Sequence, residues 1–208
     1  MTKNFRALTV AAVAIATLTL AGIPTAAAAT DTLANLQAAF NGESNAHAKY
    51  LIFAERADTE GYGAVASLFR AAANAEQIHA NNHAKVIRSM GAEPQATIEA
   101  PEVGTTADNL AAAIKGETYE RDTMYPEFLA TARAEGNRDA LQTFNYAKTA
   151  EAEHAKYYAE ALANLESLAG SDAVTYWVCS VCGYTTPTID FTKCPSCFES
   201  KDNYVAVA

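Results

Sequence analysis

Apolar positions recur with a helical period over most of this chain, and alanine supplies most of them. Asp31 or Thr32 is placed to cap a helix running to about Glu60, where Gly61, Tyr62 and Gly63 break the pattern. A second helix then reaches about Met90, closed by Gly91 with Pro94 beyond. From Gly91 to Thr106 the chain is rich in Pro, Gly, Thr and Glu, has no helical period, and reads as a long crossover loop. Thr106 or Asp108 can cap a third helix to about Ala134, Glu135 to Asn137 breaks it, and Arg138 to Leu168 forms the fourth. Pro126 lies inside the third helix and predicts a kink there, because it deletes one hydrogen bond of the ladder. Two helical hairpins joined by one long crossover predict a mainly α protein built on a four-helix bundle.

Both ends depart from this pattern. Lys3 and Arg6 precede an apolar run from Ala7 to Gly22 and the small residues Ile23 to Thr30, which together read as a cleaved secretory signal over 1–29. An uncleaved anchor is the lesser alternative, since the run is rich in Ala and Thr and a spanning helix wants about 20 strongly apolar residues. Export to the periplasm or beyond is the expectation. From Ser171 alanine thins out, and Tyr176, Trp177, cysteine, proline and threonine mark a second module. The predicted division is 1–29, 30–170 and 171–208.

Polar residues interrupt the bundle at matching places. Glu43 and the pair Glu76 and His79 in the first half answer Glu117 and the pair Glu151 and His154 in the second, as an internal duplication would produce. Each lies roughly 20–27 Å from its hairpin turn at ~1.5 Å per residue, so antiparallel pairing brings all of them near the middle of the bundle. Residues three apart share a helical face, so Glu76 with His79, Glu117 with Glu120, and Glu151 with His154 point inward together. Five buried carboxylates carry a large desolvation cost and repel one another. Two metal cations remove that cost, and oxygen with imidazole suits iron or manganese. Glu120 is surplus to a pattern of two single glutamates and two Glu-x-x-His pairs. His47 and His83, one turn beyond Glu43 and His79, could stand behind the ligands, but the favoured expectation is that they are partly exposed and outside the cluster.

The formal charge of −9 argues against a nucleic-acid surface. All four cysteines fall in two Cys-x-x-Cys knuckles, Cys179 with Cys182 and Cys194 with Cys197, which build a tetrahedral thiolate site for one metal. Two disulfides are the competing reading in an exported protein. Spacing alone does not separate structural zinc from redox iron.

The stretches "FNGESNAHAKY", "AEQIHA", "GETYERDTMYPEF", "AEAEHA", "CSVCGY" and "CPSC" resemble rubrerythrins from about residue 33 to 205. The resemblance implies a ferritin-like di-iron bundle with a rubredoxin-like β module, and ligands Glu43, Glu76, His79, Glu117, Glu120, Glu151 and His154. It implies one iron in the four-cysteine site, with Tyr50 and Tyr125 beside the di-iron pair. In this family one iron is held by the helix-three carboxylate when oxidised and by the helix-two imidazole when reduced, which by position are Glu120 and His79. The implied activity is reduction of hydrogen peroxide, with electrons relayed through the four-cysteine iron from an external reductase or redox protein. A homodimer is implied, in which the tail of one subunit meets the bundle of another. Export is unusual for the family, and Phe198 stands where rubredoxins commonly have glycine, which predicts slight strain in that loop. A ferroxidase that oxidises Fe2+ with oxygen, or a pure electron carrier, are the alternatives.

Overall fold

The computed structural model describes residues 1–2 and 31–208; the predicted signal segment falls almost wholly outside the described residues. Helix α1 (Asp31–Thr59) turns at Gly61, whose φ of 81° suits a residue without a Cβ, and α2 (Gly63–Ser89) returns alongside it. Both residues expected to cap α1 lie within its first turn. No described helix is long and apolar enough to cross a membrane.

The crossover is not a loose loop. On α1, Gln37, Asn41 and Asn45 recur every fourth residue and bind the backbone of the passing chain. Gln37 donates to the Glu93 carbonyl (2.7 Å) and accepts from Gln95 N–H (3.1 Å). Asn41 accepts from Thr97 N–H (2.8 Å), while Asn45 donates to the Thr97 carbonyl (2.9 Å) and accepts from Glu99 N–H (2.8 Å). Four helical residues rise about 6 Å and two extended residues about 6.6 Å, so the two periods match along the contact.

Helix α3 (Thr106–Tyr119) is capped by Thr105, not by Thr106 or Asp108. Asp108 is instead the reciprocal partner: Thr105 Oγ1 accepts from its N–H, and its carboxylate accepts from Thr105 N–H. The break expected at Pro126 is a π-helical turn, Glu120–Met124, which hands over to α4 (Tyr125–Ala134) with the proline in its first turn. There its missing N–H costs little. Helix α5 (Arg138–Ala163), capped by Asn137, ends before Leu168; a single 3-10 turn, Leu165–Leu168, completes the expected span.

Two apolar clusters fill the bundle. One gathers Tyr50, Phe53, Phe69, Leu110 and Tyr158, the other Leu36, Ile87, Tyr125, Leu129 and Phe144. The acidic residue of each of α1, α2, α3 and α5 separates the two clusters, so the polar layer is sealed at both ends.

The tail is a three-stranded antiparallel sheet in the order β2-β1-β3, with β1 Tyr176–Cys179, β2 Thr185–Thr186 and β3 Tyr204–Val207. Trp177 of β1 lies opposite Thr186 on one side and Ala206 on the other. The sheet lies on α2, with Val178 packed against Ala71 and Ala75. Being covered on both sides explains the fully buried Ala71, Ala72, Ala73 and Ala75, which an amphipathic surface helix would not carry together. The tail therefore meets the bundle of its own chain, a contact that the resemblance places between subunits.

Candidate metal centre

Glu43, Glu76, His79, Glu117, Glu151 and His154 are buried and converge in the layer between the apolar clusters. Their ligand atoms form two overlapping groups, Glu43 with Glu76, His79 and Glu151, and Glu76 with Glu117, Glu151 and His154. Glu76 and Glu151 belong to both. Glu76 lies 2.9 Å from His79 Nδ1 through one oxygen and 3.4 Å from His154 Nδ1 through the other. Glu151 repeats this at 3.1 and 2.9 Å. The arrangement is that of two cation positions bridged by two carboxylates, with Glu43 and His79 finishing one and Glu117 and His154 the other.

The proton positions sharpen the point. His79 Nε2 lies 3.1 Å from the carbonyl oxygen of Cys182, which can only accept, so Nε2 carries the hydrogen. Thr185 Oγ1 donates to the Gly183 carbonyl, so it accepts from His154 Nε2 at 3.0 Å. With Nε2 carrying the hydrogen, each ring when neutral turns an Nδ1 lone pair toward carboxylate oxygens. Acceptor faces acceptor, which a cation between them resolves. Glu43 Oε2, Glu76 Oε1, Glu117 Oε2, both Glu151 oxygens and His154 Nδ1 are buried without a hydrogen-bond partner; four such atoms lie elsewhere, on Thr32, Asn74, Thr106 and Tyr158, but only in this layer do they converge as a set that hard metal ions fit. Without metal, protons must stand in. Burial lowers the His79 pKa, but Glu151 and Glu76 outweigh it and push it up to about 10. Burial and the neighbouring carboxylates push Glu117 up to about 8 and hold Glu43 well above the usual carboxylate range.

Tyr50 donates to Glu117 Oε1 (2.6 Å) and Tyr125 donates to Glu43 Oε1, each crossing from one half of the bundle to the other. Glu43 and Tyr50 are seven residues apart, Glu117 and Tyr125 eight. The π turn between α3 and α4 absorbs the additional residue and brings Tyr125 to the face that a seventh residue would otherwise occupy. Glu120 opens that turn. It is partly buried near Gly42 and outside both ligand groups, so here the imidazole of His79 is in place and Glu120 stands aside. Burial and then Glu117 raise its pKa, with Lys49 acting the other way.

His83 departs from expectation. It is fully buried, accepts at Nδ1 from Thr143 Oγ1 (3.0 Å) and donates from Nε2 to Tyr125 Oη (3.1 Å). Burial, with His79 adding to it, holds its pKa down at about 3, so the ring is neutral. Its position one turn after His79 on the same face was the available signal. His47 is half-buried on the Ala73 carbonyl and takes no part in the cluster.

In the tail, Cys179 and Cys197 Sγ lie 3.7 Å apart and Cys182 and Cys194 Sγ 3.6 Å apart, and all four cysteines are free. A disulfide needs about 2.05 Å. A tetrahedral metal with ~2.3 Å bonds to sulfur gives edges of about 3.8 Å, which these distances approach. The Cys182 side chain and the N–H groups of its loop pull the Cys179 thiol down to about 5, while burial raises Cys197 to about 12. Each knuckle closes on itself, Gly183 N–H to the Cys179 carbonyl and Phe198 N–H to the Cys194 carbonyl. Phe198 has φ 62°, the only positive value at a non-glycine among the described residues, and this is the strain its position predicted. At Gly183, φ is 79° and a Cβ would fall 2.2 Å from His79 Nε2, so only glycine lets the knuckle reach the imidazole.

The rubrerythrin family model matches residues 34–162. The chain belongs to the rubrerythrin family. It is 41% identical to nigerythrin of Nitratidesulfovibrio vulgaris over 178 residues, covering 84% of this chain and 86% of that one. Rubrerythrin-2 of Clostridium acetobutylicum is 37% identical over 173 residues, with coverage of 82% and 94%. A solved structure of fully reduced, all-ferrous nigerythrin matches with a TM-score of 0.78 at 39% identity, covering 90% of this chain and 91% of that one. Bacterioferritin of Desulfovibrio desulfuricans, at 22% identity and a TM-score of 0.62 over 69% of this chain and 89% of its own, shares the bundle fold. As a rubrerythrin the chain combines a ferritin-like di-iron bundle with a rubredoxin-like module whose four cysteines are grouped to bind iron.

Proposed function

We propose that the protein is a non-haem di-iron peroxidase that reduces hydrogen peroxide to water outside the cytoplasm, with electrons arriving singly through an iron in the four-cysteine site. The observation that carries this reading is the hydrogen bond from His79 Nε2 to the Cys182 carbonyl, which links a residue of the thiolate knuckle to a ligand of the bundle site in one step. An iron-storing protein has no use for such a link.

Glu43, Glu76, His79, Glu117, Glu151 and His154 would hold the two irons, and Cys179, Cys182, Cys194 and Cys197 the third. When bound, the iron pair supplies the two electrons and the Lewis acidity that splitting a peroxide O–O bond requires. The chain's own residues do the rest. Four carboxylates balance two divalent cations, and Glu120 is a fifth at hand when the pair is oxidised; His79 and Glu120 would then exchange places. Tyr50 and Tyr125 hold Glu117 and Glu43 against rotation. The apolar clusters on either side keep bulk water from the layer. The positive residues Lys3 and Arg6 ahead of the Ala7 to Gly22 run support export, which N-terminal sequencing of the mature protein tests. An external redox protein or reductase would serve as donor, and sedimentation tests the implied homodimer.

The decisive experiment reduces the metallated protein anaerobically and mixes it with peroxide or with oxygen. Oxidation by peroxide should be faster by at least about tenfold. Faster oxidation by oxygen, with iron cores accumulating, would instead establish the ferroxidase alternative, and zinc in the four-cysteine site would remove the internal relay.

A further inference from the structure

Beside the module, a cleft of about 350 Å³ opens between α2 and α5, lined by Asn82, Lys85, Asp139, Gln142, Thr143 and Tyr146 among others. Asn82, Lys85, Asp139, Gln142 and Glu199 give it polar groups that can hold water. Thr143 lines the cleft and is almost wholly buried, and from it a line of hydrogen bonds runs into the protein. Thr143 Oγ1 reaches His83 Nδ1 (3.0 Å), His83 Nε2 reaches Tyr125 Oη (3.1 Å), and Tyr125 Oη reaches Glu43 Oε1.

The donors in this line all point one way. Tyr125 donates to Glu43 Oε1, so its single hydroxyl hydrogen is spent there. Tyr125 oxygen must then accept from His83, which places the hydrogen of that neutral ring on Nε2 and leaves Nδ1 to accept from Thr143. What sets this histidine apart is where its two partners lie: one lines the cleft and the other holds a site carboxylate. The counterpart in the other half does not share the arrangement: Tyr50 also donates to a site carboxylate, yet among the described residues no histidine donates to its hydroxyl.

We propose that Thr143, His83 and Tyr125 form a proton relay from the cleft to the Glu43 side of the metal centre, serving the protons that peroxide reduction takes up. This rests on the peroxidase reading, since H2O2 with two electrons needs two protons to give two molecules of water. In one passage the Tyr125 O–H bond breaks as a proton joins Glu43 Oε1. The His83 Nε2–H bond breaks as Tyr125 regains its proton, and the Thr143 O–H bond breaks as His83 Nδ1 gains one. A hydronium ion in the cleft restores Thr143 and leaves water. His83 changes tautomer and bears no net charge before or after; each passage delivers one proton, and the ring must exchange its proton by reorienting before the next. Thr143 and His83 act through Tyr125 and are positioning residues.

Two measurements on the full chain test the relay. First, protein loaded with redox-inert zinc and labelled with 15N on histidine is examined by NMR. His83 should be the Nε2–H tautomer, and Thr143→Val, which removes only the hydroxyl, should move its Nδ1 resonance. An Nδ1–H tautomer, or an Nδ1 unmoved by the substitution, overturns the wiring whatever the enzyme's activity. Second, the reduced iron protein is mixed with stoichiometric peroxide in H2O and in D2O. Thr143→Val should slow oxidation roughly 10-fold, somewhat less than the ~10²–10⁴ a positioned acid supplies, because stray water can substitute in part. Its solvent isotope effect should change as well, and Thr143→Ser should restore both. If peroxide oxidises wild type and Thr143→Val alike with the same isotope effect, the relay is wrong and the peroxidase reading stands. If wild type does not react with peroxide, the peroxidase reading falls and takes the relay's purpose with it.

Discussion

The two halves of the bundle do the same work with one residue of difference. In the first half Glu43 precedes Tyr50 by seven positions; in the second Glu117 precedes Tyr125 by eight, and the additional residue is taken up by the π turn that begins at Glu120. The tail repeats the theme. Its two knuckles close with the same hydrogen bond, but one carries Gly183 at positive φ and the other Phe198. Near-symmetry builds the two cation positions, because each needs a terminal glutamate, a histidine and a share of both bridges. The departures are where function can differ between the halves. Among the described residues only the second half has a surplus carboxylate, Glu120, and of the two tyrosines only Tyr125 has a histidine behind it.

The largest test of this comparison sets a bridging acid against a terminal one. Glu151→Ala removes a ligand from both cation positions, so bundle iron should fall toward none and peroxide turnover by more than about 100-fold, beyond the 10–100-fold typical of residues that merely support a ligand. Glu43→Ala strips one position only, and about one bundle iron should remain. Elemental analysis and turnover read both, and the four-cysteine iron should persist in each variant because its ligands come from a separate, local unit. Equal iron loss in the two variants would mean that the positions are not built as described.

The two knuckles provide the next contrasts. Gly183→Ala places a side chain into His79 and forces a non-glycine residue to a positive φ, at a cost of about 2 kcal/mol or more. The melting temperature should drop, and electron transfer from the four-cysteine iron to the bundle should slow as the module is pushed away. Phe198→Gly does the opposite to the other knuckle. It relieves a positive φ at an exposed residue and should stabilise the tail by about 1 kcal/mol, with no change in peroxide reactivity. Denaturation followed through the four-cysteine chromophore measures it. A destabilised Phe198→Gly would mean that the ring contributes contacts outweighing the backbone strain.

Much of the site was legible because its residues answer a local rule. Glu-x-x-His places two ligands on one helical face wherever the helix runs, and Cys-x-x-Cys makes a knuckle in nearly any surroundings. What escaped the sequence depends on neighbours that periodicity does not reveal. His83 looked more like a partly exposed residue because Tyr125, Thr143 and Phe144, which enclose it, are remote in the chain. Thr185 and the Cys182 carbonyl orient both histidines only because the tail folds back on α2. The capping residue of α3 was missed by one position, since Thr105, Thr106 and Asp108 all suit a helix start and only the reciprocal bond picks among them. The π turn was read as a kink: Pro126 signalled an interruption, but the face on which Tyr125 had to emerge decided its form.

The polar rungs of Gln37, Asn41 and Asn45 give the crossover a further role, that of a ruler. By fixing how far the strap advances along α1, they help set the height at which the second hairpin begins, and with it the level at which its acids meet those of the first. A hairpin duplicated in tandem has no inherent reason to stack at equal height. Here the calibration is written in amides on the outer face of one helix.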